Sequence, residues 1–280
     1  MTLHLVYRSH GSENQKDRPP YYSKAVALAS VIDAAHQCPA DPVELIFVND
    51  GPIPADRVAL MRSVGEVVSI RRGSNRGSYL FAVGLASRRR WADTDLVLFA
   101  EDDYLYRPDA LEQLTRAGRS HPGVDYFYPY SEVPEPSGWT PSQPQQWMPH
   151  PTTTSTFAVR AAALCQDRLI LRTAPFTGAD WDHASLLAVQ GTQPFAPHSA
   201  LHHPSRARAH TMTTAAARAA FLTATKSALS VLVWRQRRRA ARQALAAVPP
   251  LATHLEIAHL AWGTNWAERA SLLRVASPQS

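Results

Sequence analysis

Between Thr94 and Leu111 the chain reads TDLVLFAEDDYLYRPDAL, and three consecutive carboxylates, Glu101, Asp102 and Asp103, break abruptly out of an apolar run. The run Leu96-Val97-Leu98-Phe99-Ala100 has the continuous apolar character of a strand buried on both faces. Pro108 follows where the first turn of a helix tolerates proline. Acids at the C-terminal end of a buried strand lie where open α/β sheets bind their ligands. Three like charges in a row require a cation, basic neighbours or full solvation. Alternation along an extended segment puts Glu101 and Asp103 on one side and Asp102 on the other. The same acids also suit a solvated turn beside a helix N-terminus, and this segment alone does not separate the two readings.

The elements that must position these acids are legible on either side. Leu3 to Tyr7 is a strand candidate, Tyr22 to Ala35 carries apolar residues at helical spacing, and Val43 to Val48 is a second strand ending at the turn Asn49-Asp50-Gly51-Pro52. A helix over 55–64, a strand over 67–70 and a helix over 79–89 opened by Asn75-Arg76-Gly77 follow. The acidic strand and a helix over 108–119 complete a βαβαβαβα order, which predicts a mostly parallel sheet covered by helices. Beyond Val124–Tyr128 the texture changes. Residues 129–151 read as a long Pro-rich loop, with a strand over 153–159 and a short helix over 160–165 after it. Gly178 to Gln190 reads as a loop entering a helix, with Asp180 as its N-cap. A long Ala-rich helix over 214–247 is stopped by Pro249-Pro250. The expected organisation is therefore an α/β unit over 1–208, split near 125, and a helical C-terminal extension over 209–280.

Composition narrows the class. The 280 residues carry a formal charge of +6 and a pI near 9.6, which suits an anionic partner without choosing among nucleotide, acidic glycan, nucleic acid or membrane surface. Cys38 and Cys165 fit no metal-ligand spacing and read as buried thiols in a reducing compartment. The start MTLHLVYRSH enters a strand directly with no signal-peptide pattern, and no apolar run reaches the roughly 18 residues that span a bilayer. A cytoplasmic protein is the expectation, with peripheral membrane contact as an addition.

Taken in order, VELIFVNDG, RGSNRGSYLFAVGLA, LFAEDDYLYRPDAL and GADWDH resemble the segments of the GT-A glycosyltransferases, nearest to the family 2-like group. The resemblance covers about residues 3–205 and implies a GT-A-like, Rossmann-related α/β core. It implies a metal-dependent, inverting transfer of a sugar from a nucleoside diphosphate of the UDP, GDP or dTDP type to an acceptor hydroxyl. The first strand ends in Tyr7-Arg8-Ser9-His10 where the group usually has Pro-Thr-Tyr-Asn, and the metal-binding segment is spelled Glu-Asp-Asp.

The resemblance also assigns roles. Glu101 and Asp103 would hold Mn²⁺ or Mg²⁺, which offsets the charge gathering on the diphosphate leaving group, and His202 or His203 would complete that site. Tyr7, Arg8, Asp50, Asn75, Arg76, Gly77, Asp102 and Arg206 would contact the nucleotide sugar. Asp180 would take the proton from the acceptor hydroxyl, with Asp182 as the reserve base, and helix capping is the competing role of Asp180. A single base opposite the leaving group implies inversion. Trp181 and Trp147 would stack on acceptor sugar faces, although a tryptophan in a chain of this size also suits the core.

One feature lies outside this resemblance. Val231-Leu232-Val233-Trp234 runs into Arg235-Gln236-Arg237-Arg238-Arg239, which reads either as a surface helix on anionic lipid or nucleic acid, or as a helix packed on the catalytic unit with solvated arginines. The alternatives to a transferase are therefore a binding protein that uses this helix, or a nucleotide-binding relative without transferase activity. No nucleic-acid partner is expected.

Overall fold

In the computed structural model, which describes residues 1–12, 16–38, 42–178, 180–195, 212–239 and 241–276, the first half folds as the alternating pattern predicts. Strands β1 (Leu3–His10), β2 (Val43–Asp50), β3 (Glu66–Ile70) and β4 (Leu96–Glu101) pair in parallel, in the order β3-β2-β1-β4. Helices α1 (Lys24–His36), α2 (Ala55–Val64) and α3 (Asn75–Ala86) make the crossovers. Alternate residues of β1 feed different cores. Leu3, Leu5 and Tyr7 pack with α1 and Met61 of α2, whereas Val6 packs with α3. Because both faces are covered there, β2 and β4 read as unbroken apolar runs, whereas β3 at the edge is only partly buried.

The acidic strand turns a corner into β5 (Tyr104–Tyr106), and α4 (Ala110–Ser120) returns beneath the sheet. Beyond it lie β6 (Tyr126–Tyr128), β7 (Gln146–Pro149) and β8 (Phe157–Arg160), then helices α5 (Ala161–Thr173) and α6 (Trp181–Val189). The long loop expected over 129–151 thus ends in an edge strand, and the strand expected from residue 153 begins at Phe157.

The C-terminal stretch departs most from expectation. Helix α7 (Met212–Arg239) stops at Arg239, and the chain re-enters the main sheet as β9 (Ala244–Val248) between β6 and β7. Among the described residues the main sheet has eight strands, in the order β3-β2-β1-β4-β8-β6-β9-β7. β10 (Ala252–His254) then pairs antiparallel with β5, and α8 (Trp266–Ala276) packs on α1 through Trp266, Ala270 and Leu273. The stretch expected as all helix therefore supplies two strands. Ala244-Leu245-Ala246-Ala247-Val248 has helical propensity, but its side chains are small enough to be enclosed in a sheet, and pairing with Tyr126–Tyr128 overrides the propensity.

Two smaller expectations are corrected. Cys38 is buried, but Cys165 is exposed on α5. The segment Ala215–Arg239 is by length and composition long and apolar enough to cross a bilayer, because one helix carries through the threonines, serines and the charged Arg218 and Lys226 that interrupt the apolar run in sequence.

Candidate functional site

Strand register brings the acids and their partners together. β1 pairs with β4 so that Arg8 lies opposite Glu101, and with β2 so that His10 lies opposite Asp50. β10 pairs with β5 so that His254 lies opposite Tyr104, the residue after Asp103. The Leu255 N–H donates to the Asp103 carbonyl at 2.8 Å, and the His254 ring stacks on Tyr104 with centroids 4.9 Å apart. His254 Nε2 is thereby held 3.1 Å from Asp103 Oδ2. These residues line a cavity of about 480 Å³ at the C-terminal ends of the parallel strands, where open α/β sheets bind ligands.

Each of the three acids has a basic neighbour. Glu101 is paired with the buried Arg8 guanidinium, which also donates to Asn75 Oδ1 at 2.7 Å and to Ser78 Oγ at 3.1 Å. Asp102 Oδ2 accepts from the His10 N–H at 2.7 Å and from Ser9 Oγ, and lies 3.1 Å from Lys24 Nζ. Lys24 is itself buried and donates to the carbonyls of His10 and Ser12, so it pins the loop after β1. Asp103 Oδ2 takes Arg18 at 3.1 Å as well as His254, with Lys16 Nζ 3.8 Å away. Basic side chains thus answer each member of the row of acids.

These environments differ in sign. Burial pushes the Glu101 carboxyl above its usual range against the pull of Arg8, with Asp103 and Asp182 adding to the rise. Burial likewise raises Asp102, opposed by Lys24. Burial works against ionisation at Asp103 too, but His254, Lys16 and Arg18 together outweigh it and hold this carboxyl well below the usual range. Asp103 is therefore the acid of the three that stays anionic most firmly.

Asp50 occupies the other end of the cavity. Its Oδ1 accepts from the Arg72 N–H at 2.6 Å and the Gly73 N–H at 3.2 Å, and the positive φ of Gly73 (+64°) lets the turn present both donors. Asp50 itself lines the cavity, and its Oδ2 is buried with no hydrogen-bond partner, an acceptor left unanswered by the fold.

The remaining predicted residues divide. Asp182 and Trp181 line the same cavity at the start of α6, and Trp181 packs on Tyr79 with ring centroids 4.4 Å apart. Asp180 stands at the N-cap position with no side-chain cap hydrogen bond, is exposed and does not line the cavity. Asn75 lines the cavity, but Arg76 turns away onto Phe176, 5.1 Å from its ring, and Gly77 serves the helix cap by donating to Ser74 Oγ. Tyr7 is buried in the core beneath Phe47, and Trp147 packs edge-on against Phe127 on the edge strand, so neither lines the cavity. Glu101 lines the cavity too and is paired with Arg8, with Asp103 and His254 close enough to act on its carboxyl. His202, His203 and Arg206 lie outside the described residues. Sequence reasoning did not single out His254, Lys24 or Arg18. The sequence around His254 marks only a break: Pro249-Pro250 end the preceding element, and Leu251 to Leu255 show no alternation that would announce a strand.

Residues 20–169 match the family model described as glycosyl transferase family 2. The chain belongs to that family. No curated protein matches it. Among solved structures, TarS of S. aureus (residues 1–349) is similar at 14% identity and a TM-score of 0.44, over 67% of this chain and 56% of that one. Glucosyl-3-phosphoglycerate synthase of Mycobacterium tuberculosis, solved with Mn²⁺, UDP and phosphoglyceric acid, is similar at 14% identity and a TM-score of 0.43, over 82% and 78%. The chain thus spans little more than half the length of the first of these. As a family 2 member it has the mixed α/β, GT-A-like core, with the cavity at the ends of β1, β2 and β4.

Proposed function

We propose that this family 2 glycosyltransferase moves a sugar from a nucleoside diphosphate donor to an acceptor hydroxyl, with a divalent cation and with inversion. The observation that carries this reading is one cavity lined by Asp50, the Asp103–His254 pair and Asp182.

The donor set suits the cation. Asp103 offers a hard oxygen that stays anionic, and His254 offers an imidazole nitrogen, a combination that suits Mn²⁺. Among the described residues no group of three or more His, Cys, Asp or Glu is arranged around a metal position. Two protein donors leave the remaining positions to phosphate oxygens and water, the usual arrangement at nucleotide sites. When bound, the cation would offset charge on the departing diphosphate. Glu101, locked to Arg8, orients the floor of the cavity in this reading instead of binding the cation.

The protein's own groups do the rest. Asp50 Oδ2 accepts a hydrogen bond from the base or ribose, while its other oxygen is fixed by the Arg72 and Gly73 amides. Arg18 and Lys16, now on Asp103, are placed to meet phosphate oxygens. Asp182 takes the proton from the attacking hydroxyl, and Trp181 beside it offers a ring face to the acceptor. With Asp182 as the single base on the face opposite the leaving group, the transfer proceeds with inversion.

The test is calorimetric titration of UDP, GDP and dTDP, with and without Mn²⁺, on wild type, Asp103→Ala and His254→Ala. Metal-dependent binding of one nucleotide, lost in Asp103→Ala and weakened in His254→Ala, is expected. No binding of any of the three in the presence of metal would overturn the reading.

A further inference from the structure

Helix α7 has two sides of different character. One side is carried by the protein: Leu229, Val233 and Gln236 are buried, Thr225 Oγ1 donates to the Phe176 carbonyl at 3.0 Å, and Arg237 donates to the Gly191 carbonyl. The other side is exposed and apolar, with Phe221 at 52%, Val231 at 52% and Trp234 at 53% exposure. Phe221, Ala224, Ala228, Val231, Arg235 and Arg238 follow one another at steps of three and four, so they form one stripe along the helix. All six are exposed, and the small alanines keep the stripe flat between its large residues.

Charge is distributed just as unevenly. The helix contains no Asp or Glu, and its last turns carry Arg235, Arg237, Arg238 and Arg239. The Arg238 guanidinium lies 4.0 Å above the exposed Trp234 ring. A tryptophan with an arginine on its face is amphipathic at both ends, which suits the boundary between acyl chains and headgroups.

We propose that the exposed side of α7 docks the protein onto an anionic lipid bilayer, with the helix lying in the surface. The buried Leu229–Val233–Gln236 side keeps α7 on α5 and α6, so it lies along the membrane and does not cross it. A polynucleotide would engage the arginines but leave Phe221 and Val231 in water, whereas a lipid surface uses both halves of the stripe. The inference rests on this helix alone, and its outcome is separate from that of the donor-site reading.

The test is co-sedimentation of the full chain with phosphatidylcholine vesicles and with vesicles of phosphatidylcholine and phosphatidylglycerol, at low and high salt. Binding to the anionic vesicles, weakened by salt, and little binding to the neutral ones are expected. Arg235→Ala, Arg238→Ala and Arg239→Ala combined should weaken binding on the order of a hundredfold, at roughly tenfold or less for each headgroup-facing charge. The same number of exposed arginines removed elsewhere, Arg62→Ala, Arg90→Ala and Arg116→Ala, should have a much smaller effect. Tryptophan emission gives a readout that needs no arginine variant: anionic vesicles should shift it to the blue in wild type and much less in Trp234→Phe. Absence of binding to anionic vesicles at low salt overturns the proposal. So does equal weakening by the two arginine triples. Binding to duplex DNA or RNA that is tighter than to vesicles and unaffected by Phe221→Ser with Val231→Ser would also overturn it.

Discussion

Asp167 on α5 and Asp103 at the end of the acidic strand are both low-exposure acids held by basic partners, but their hydrogen bonds are distributed differently. Asp167 is 1% exposed, and both of its oxygens are used inside the protein. Oδ2 accepts from Tyr126 and Arg242 Nε at 2.9 Å each, and Oδ1 accepts from Arg242 and from Gln236 of α7. It therefore ties α5, the end of α7 and the entry to β9 into one clamp. At Asp103 the contacts from Arg18, Lys16 and His254 converge on one oxygen, and the residue lines the cavity. A buried acid with every lone pair answered holds a fold together, whereas an acid with its partners crowded on one side of a cavity is arranged for something that arrives.

Variants on the two kinds of acid should separate cleanly. The largest effect is expected at the cavity. Asp182→Asn should lower kcat by about 10²–10⁴-fold, the usual contribution of a general base, with nucleotide affinity unchanged. Asp180→Asn should change kcat far less, because Asp180 stands outside the cavity. Steady-state transfer kinetics with the donor named by calorimetry decide between them, and a deeper loss in Asp180→Asn would move the base to Asp180. Next in size is Asp167→Ala, which leaves Arg242 short of its main partner and should cost about 3–5 kcal/mol of stability. Denaturant unfolding measures that loss, and folded Asp167→Ala should still bind nucleotide. Smaller again is Asp50→Asn. Asn can keep the bonds from the Arg72 and Gly73 amides but turns the orphaned acceptor into a donor. Nucleotide affinity should fall by about 1–3 kcal/mol with the melting temperature unchanged. A lost melting temperature with unchanged affinity would make Asp50 a turn residue only.

The clamp and the cavity were also unequally legible in the sequence. The parallel half was readable because β1, β2 and β4 are enclosed on both faces and show as apolar runs between helices with clear periods. Asp103 and Asp50 were readable because each comes where such a strand ends, and Asp182 because it stands in the first turn of a helix after a glycine-containing loop. His254 was not, because its position depends on β9 returning to the sheet, and an Ala-rich strand of five residues looks locally like the tail of the helix before it. Arg18 and Lys24 escaped for a related reason. They reach the acids from the loop after β1 and from α1, and nothing local in their own segments marks them as partners of residues some 80 positions away.

The smallest expected effect is the dependence of stability on pH, and here the two acids should have opposite signs. The Asp103 carboxyl is held below its usual range, because His254, Lys16 and Arg18 outweigh burial. As pH falls past the ordinary aspartate value of about 3.9, the unfolded chain takes up this proton first. The stabilisation from Asp103 is thus complete above that value and is lost as pH falls below it. At Asp167 burial outweighs Arg242 and Tyr126 and raises the carboxyl. Its contribution is complete below about 3.9, the unfolded value, and declines as pH rises through the raised folded value. Urea unfolding in chelator across the acidic range, on wild type, Asp103→Asn and Asp167→Asn, reads both slopes. Asp103→Asn should lose less stability than wild type on acidification below the usual carboxylate range, and Asp167→Asn less than wild type as pH rises above it. Parallel slopes in the two variants would mean that the acids have the same electrostatic setting, and the distinction between an acid closed into the fold and one facing the cavity would fail.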